Sequence, residues 1–184
     1  MGEVSGVKEK NDIYGRRVSD ERFMKEAIRC ARRAYAAGEA PVGAVITKDG
    51  RIVARARNER ETKQDATLHA EMTAIRKACK KLGLWRLNGC CLYVTLEPCA
   101  MCAGAIVLAR IDRVVYGAAD PKAGACGTVL NVLEEPALNH RPELDGGILG
   151  EECSALLTEF FTALRQKRPV AVDAPRGDGG AFEK

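Results

Sequence analysis

Two short motifs, His69-Ala70-Glu71 and Pro98-Cys99-Ala100-Met101-Cys102, constrain this chain more than any other part of it. Together they offer one imidazole and two thiols, a donor set that suits zinc, with a carboxylate close by that is not needed as a ligand. Structural zinc sites are closed by four protein ligands, whereas catalytic ones keep a position for water. A His, two cysteines and a spare Glu therefore read as an open, hydrolytic centre. Any fold that uses them must bring two segments distant in sequence to one point.

The local pattern says how. Leu68, Met72, Ile75, Cys79 and Leu82 recur at helical spacing, so His69 and Glu71 belong to the first turn of a helix. At about 100° per residue, Glu71 lies about 60° to one side of the Leu68 direction and His69 about 100° to the other. A first turn aimed at a shared cavity puts both side chains at its mouth. Cys99 and Cys102, three apart, share one face of a second helix running to Ala109, and Pro98 suits its start. Two helix N-termini thus converge on one ion, and their positive ends favour thiolate over thiol. Taken alone, Cys-x-x-Cys in a cytosolic protein is also a redox pair or half of a structural zinc site. His140, the second of two histidines, could close such a site, but Glu71 would then have no task.

The rest of the chain frames these helices. Ser19 is an expected N-cap, with Asp20 and Glu21 in the first turn. Phe23, Ala27, Cys30, Ala31, Ala34 and Tyr35 follow at helical spacing up to Gly38. Pro41 to Thr47 and Arg51 to Arg57 read as strands joined by the Asp49-Gly50 turn. Cys91 to Thr95 and Arg113 to Tyr116 are further strands, and Cys153, Leu156, Leu157, Phe160 and Leu164 form the stripe of a last helix. The order predicts an α/β sandwich, a mixed sheet opening with a hairpin and covered by helices. One domain is expected over 19–168, between a flexible N-terminal tail, 1–18, and a disordered C-terminal tail, 169–184.

Composition narrows the class. At 184 residues, 46% hydrophobic and 29% charged, the chain suits one soluble domain. The apolar run from Pro98 to Ala109 is too short to span a bilayer, and the polar stretch Met1 to Lys10 offers no secretory signal. A cytoplasmic protein is expected, and its eight cysteines then read as two metal ligands and six reduced packing residues. A net charge of +4 permits a nucleic-acid partner without requiring one.

The chemistry follows from the donors. Zinc on His69, Cys99 and Cys102 would lower the pKa of a bound water toward neutrality, and Glu71 would move its proton. Attack on an aromatic amidine carbon with loss of ammonia is the natural reaction.

With these residues in place, the chain resembles the bacterial-type tRNA-specific adenosine deaminases, zinc deaminases of the cytidine-deaminase-like superfamily. H-x-E with P-C-x-x-C is the signature of zinc nucleobase deaminases in general. The more specific pieces are Pro41-Val42-Gly43-Ala44-Val45, Thr95-Leu96-Glu97-Pro98-Cys99, Arg113-Val114-Val115-Tyr116-Gly117-Ala118, Asn139-His140-Arg141 and Cys153-Ser154-Ala155-Leu156-Leu157. The resemblance implies an α/β fold, a three-layer α/β/α sandwich around a mixed five-stranded sheet. It also implies one zinc ion per subunit and a homodimer that grips a tRNA anticodon loop. His69, Cys99 and Cys102 would be the ligands and Glu71 the proton shuttle. Val42, Asn58, Ala70, Asp120, Asn139, His140, Arg141 and Phe161 would contact substrate. Asn58 is equally a strand-end turn residue, Val42 a core residue and Asp120-Pro121 a turn opening. His69 to Cys79 is also similar to the guanine deaminases, so a free-base purine deaminase is the alternative activity. A non-catalytic zinc or RNA-binding subunit is the other, although such a subunit would be expected to lack Glu71.

Overall fold

The computed structural model describes residues 4–167. A long helix, α1 (Val4–Ala36), leads into a hairpin of β1 (Gly43–Lys48) and β2 (Arg51–Arg57). A short α2 (Arg60–Lys63), α3 (Ala70–Leu82), β3 (Cys90–Leu96), α4 (Ala100–Ala109) and β4 (Arg113–Ala118) follow. The chain ends in a short β5 (Glu143–Asp145) and α5 (Gly150–Lys167). The sheet has five strands in the order β2-β1-β3-β4-β5. β1 pairs antiparallel with β2 and β3, while β3, β4 and β5 run parallel.

The sheet is buried on both faces, which makes the expected three layers. Val45, Tyr93 and Val115 face Phe23, Met24, Ala27 and Ile28 of α1 and Cys153 of α5. Ala44, Ile46, Leu92, Val94 and Val114 face Ala70, Ala74 and Ala78 of α3 and Ala103, Ile106 and Val107 of α4. Alternation along each strand sends successive side chains to opposite layers. Gly43 is required where α1 crosses β1, because a Cβ there would collide with the α1 backbone at Ala27 and Ala31.

Several details depart from the expectations. The helix begins at Val4 and runs through Ser19, so Ser19 caps nothing and the segment expected to be loose up to Val18 is helical from Val4. That stretch contains Lys, Glu and Arg and no proline, a composition compatible with helix. Arg16 on it makes a paired ion bridge to Glu143 of β5, with both distances 2.7 Å. The expected tail from 169 lies outside the described residues. α3 turns its alanines, with Glu71 and Ile75, to the sheet, whereas Leu68, Met72 and Leu82 are only half-buried. Small residues let the helix axis approach the sheet closely, so apolar size was a poor guide to the buried face. On α5, Leu164 is 46% exposed, so the last helix buries less of its stripe than its spacing suggested.

A charge cluster ties α1 to the far strands. Arg113 donates to both oxygens of Asp20 at 2.8 Å and to Asp145 at 2.6 Å, and the Tyr93 hydroxyl donates to Asp20 at 2.9 Å. Asp20 is 4% exposed. Burial would raise its pKa, but the hydrogen bonds from Arg113 and Tyr93 outweigh that and hold it below the ordinary value.

Candidate active site

The sheet sets the starts of α3 and α4 beside each other. His69 is the N-cap of α3 and Cys99 the N-cap of α4, both with extended backbone and neither with a side-chain capping bond. Their carbonyls still start the helices, accepting from Thr73 N–H at 3.0 Å and Ala103 N–H at 2.8 Å. The side chains are therefore released from capping and turn toward each other. His69 sits one position earlier than the first-turn placement expected from the sequence.

His69 Nδ1 lies 3.7 Å from Cys99 Sγ and 3.6 Å from Cys102 Sγ. The three donor atoms fall within 4.8 Å of one another. Tetrahedral zinc, with Zn–S near 2.3 Å and Zn–N near 2.0 Å, sets an N and an S donor roughly 3.5 Å apart. The spacing and the donor types fit one such ion with a fourth position left open. His140 does not close it, since its Nε2 donates to the Ile111 carbonyl at 2.6 Å. Hydrogen bonds from Cys102 and His69 lower the Cys99 thiol to about 3, so this sulfur is a ready thiolate.

Glu71, two residues into the helix from His69, points into the same region. It lies on the buried face of α3 and is 4% exposed. Burial pushes its carboxyl above the ordinary carboxylate range. A carboxyl so placed, beside the three donors and not one of them, is suited to take a proton and give it back.

His69, Glu71 and Cys99 line a cavity of 260 Å³ together with Val42, Asn58, Arg60, Ala70, Leu96 and Phe161, among others, and Cys102 lies buried behind them. Of the expected substrate contacts, Val42, Asn58, Ala70, Asp120 and Phe161 meet here. A second cavity of 630 Å³ adjoins it, sharing Val42, Asp120 and Phe161 and extending along α5 past Leu157 and Thr158 to Lys122 and Arg165. Phe161 is 43% exposed at the junction. Asp120 also makes the turn its sequence suggested, accepting from Lys122 N–H at 2.9 Å and Ala123 N–H at 3.3 Å. Asn139, His140 and Arg141 do not line either cavity. They stand at the other end of α4, where Arg110 donates to Asn139 Oδ1 at 2.5 Å.

Two buried carboxylates that sequence reasoning missed hold the walls. Glu97, 2% exposed, accepts from the N–H groups of Asp120 at 3.0 Å, Cys126 at 2.9 Å and Thr128 at 3.1 Å, and from the Thr128 hydroxyl. Gly124 is required beneath it, because a Cβ would strike the Glu97 carboxylate. Glu39, fully buried, accepts from Asn58 Nδ2 at 3.0 Å and from the N–H groups of Glu61 at 3.1 Å and Thr62 at 2.6 Å. Glu39 thereby fixes the amide of Asn58, whose Oδ1 accepts no hydrogen bond among the described residues. Arg60, also missed, reaches the cavity from α2. No periodicity flags these residues, and only the proximity of Glu97 to Cys99 in the chain hinted at one of them.

Comparison with known proteins agrees with this geometry. The model of the MafB19-like deaminase family matches residues 18–165. The tRNA-specific adenosine deaminase of Bacillus subtilis is 55% identical over 152 residues, covering 83% of this chain and 94% of the relative. A solved structure from work on A-to-I editing by tRNA:A34 deaminases at the wobble position of transfer RNA is similar at a TM-score of 0.72 and 46% identity, covering 74% of this chain and 99% of the other. The guanine deaminase of Bacillus subtilis is similar at a TM-score of 0.54 and 40% identity, covering 79% of this chain and 93% of the other. The fold, the metal-capable cluster and these likenesses agree, and the chain belongs to the family of tRNA-specific adenosine deaminases.

Proposed function

We propose that this protein hydrolyses adenosine to inosine at the wobble position of a tRNA anticodon, with His69, Cys99 and Cys102 holding one zinc ion. The observation that carries this reading is a three-donor cluster beside a buried carboxyl that is not one of the donors. When bound, zinc supplies a water of near-neutral pKa in its open position. Glu71 takes a proton from the attacking water and delivers it to the ring nitrogen N1, and then moves a proton to the departing amine. The water oxygen bonds to C6, the C6–N6 bond breaks, and ammonia leaves. Asn58, held by Glu39, presents Oδ1 to the base, while Val42 and Phe161 supply apolar wall.

The two cavities divide the substrate. At 260 Å³ the inner one is smaller than the roughly 300–1,000 Å³ of pockets for drug-sized ligands, which suits a single flat base. The adjoining groove, with Phe161 at its entrance and Lys122 and Arg165 further along, suits the neighbouring nucleotides of an unpaired loop. A free base would leave that groove without a task. Asn139, His140 and Arg141 reach RNA only where it extends across α4 or belongs to a complex with a second subunit. A homodimer is part of the reading. α4 is apolar on every side, yet Met101 is 36% and Leu108 72% exposed, a helix face that a second copy of this chain would cover. A cytoplasmic location is also part of it, since all eight cysteines are free thiols and suit a reducing compartment. No described helix is long and apolar enough to cross a membrane.

The test offers the zinc-loaded protein an anticodon stem-loop with adenosine at the wobble position, beside free guanine. Inosine in the RNA with guanine untouched is the expected result. Guanine consumed with the RNA unchanged would move the assignment to the free-base purine deaminases.

A further inference from the structure

Outside the catalytic cavity, positive charge converges at one place. A cavity of 230 Å³ at the open edge of the sheet is lined by Arg33 of α1, Arg55 and Arg57 of β2 and Lys77 of α3, with Cys30, Ala56 and Glu59. Four cations from three elements thus face one small space. Two of them are neutralised. Arg55 Nε donates to Glu26 at 3.2 Å, and Arg57 lies 3.6 Å from Glu59. Arg33 and Lys77 have no acidic partner among the described residues. The space is large enough for roughly seven waters, so an oxyanion with part of its hydration shell fits.

Local explanations account for the cations singly. Lys77 Nζ donates to the Arg55 carbonyl at 3.1 Å and so covers a free acceptor of the edge strand, a common protection against edge pairing. Arg57 Nη1 donates to the Arg33 carbonyl at 2.8 Å, in the last turn of α1. Neither task uses the remaining donors of Lys77 or the Arg33 guanidinium, and neither explains why all four meet. With Arg55 and Arg57 paired to carboxylates, Arg33 and Lys77 are the two charges left over in this cavity, and an anion bound there would meet them.

Position supplies the ligand. Arg57 lines this cavity and Arg60 the catalytic one, with Asn58 of the catalytic wall between them in sequence. Arg55 is three residues from Asn58, at most about 10 Å along an extended chain. That is the scale of one or two nucleotides. We propose that the cavity formed by Arg33, Arg55, Arg57 and Lys77 binds a backbone phosphate of the RNA substrate near the target nucleotide. The inference rests on the tRNA reading above.

The experiment uses full-length, zinc-loaded protein and three forms of it: unchanged, Arg33→Gln with Lys77→Gln, and Lys80→Gln with Lys81→Gln. The last pair removes the same charge from the far end of α3. Thermal melts establish that each form folds. Affinity for the anticodon stem-loop is measured against salt in phosphate-free buffer, with KM and kcat for inosine formation. The Arg33/Lys77 form should bind about tenfold more weakly, with a salt slope shallower by about 1 and the loss in KM rather than kcat. The Lys80/Lys81 form should bind as the unchanged protein does. Equal effects of the two pairs, or an unchanged salt slope in the Arg33/Lys77 form, overturns the proposal. Inorganic phosphate is titrated against the unchanged protein in the same assay. Saturable competition below 1 mM that the Arg33/Lys77 form loses, with no change in its RNA affinity, would assign the cavity to a free anion and overturn the RNA contact. Failure of the tRNA reading itself would show separately, as no inosine from the unchanged protein.

Discussion

Glu97→Gln changes one atom's chemistry and should unfasten the loop that walls the active site. The carboxylate accepts four hydrogen bonds, three from backbone N–H groups of Asp120, Cys126 and Thr128 and one from the Thr128 hydroxyl. Burial alone would raise its pKa, but those donors outweigh burial and hold it below the ordinary value, so it is charged at pH 7. Gln keeps one oxygen and sets an NH₂ group against donors that need acceptors. A hydrogen bond to a charged acceptor contributes about 1.5–3 kcal/mol, and Glu97 is too buried for water to replace the two that are lost. The expected cost is about 3–5 kcal/mol. At about 2–4 °C per kcal/mol for a domain of this size, Tm should fall by roughly 10 °C. Differential scanning calorimetry on the metal-loaded protein reads that shift, and KM for the stem-loop should rise because Asp120 loses its anchor. Thr128→Val, which removes only the hydroxyl, should cost less than half as much. A Gln variant that melts within 2 °C of the unchanged protein, with the same KM, would refute the claim that the charge of Glu97 holds the loop.

Three further outcomes follow from the geometry. Glu71→Ala should retain zinc, measured by plasma emission spectrometry, and lose turnover by at least a hundredfold; loss of the metal would show Glu71 to be a ligand. Glu39→Gln should raise KM for RNA and lower Tm, because it replaces one acceptor oxygen that Asn58, Glu61 and Thr62 use; an unchanged KM would mean that Asn58 needs no fixing. Asp20, Glu39 and Glu97 all have folded pKa values below their unfolded ones. Their contribution is therefore complete above the unfolded values near 4 and is lost as pH falls through the folded ones. Urea midpoints should hold between pH 6 and 7 and drop steeply below pH 4, and less steeply in Asp20→Asn; equal acid sensitivity would remove Asp20 from the explanation.

How much of this was legible depended on how local the chemistry was. His69, Glu71, Cys99 and Cys102 could be read directly, because metal ligation and proton transfer need those residue types within a few positions of helix starts. Even there, the extended N-cap backbone of His69 and Cys99 was invisible, since neither is a customary capping residue. Val42, Asn58, Ala70, Asp120 and Phe161 do meet in or beside one cavity, but only the family resemblance singled them out. Glu39 and Glu97 went unread because two carboxylates among 25 acids carry no mark of burial, and their partners are backbone amides set by the fold. β5 has three residues and α2 four, too short for any periodicity to show. The four-cation cavity is dispersed over α1, β2 and α3, so the modest net charge of the chain conceals it.

A metal titration is the most direct test of the three-donor centre. Protein stripped of metal is reconstituted with increasing zinc, and inosine formation in the stem-loop is read against zinc bound per chain. Activity should begin near zero, rise linearly and level off at one zinc per chain, with no rise in a Cys102→Ala protein. Full activity before zinc is added, or activity that rises equally in the Cys102→Ala protein, would contradict the assignment of His69, Cys99 and Cys102 as the centre of the reaction.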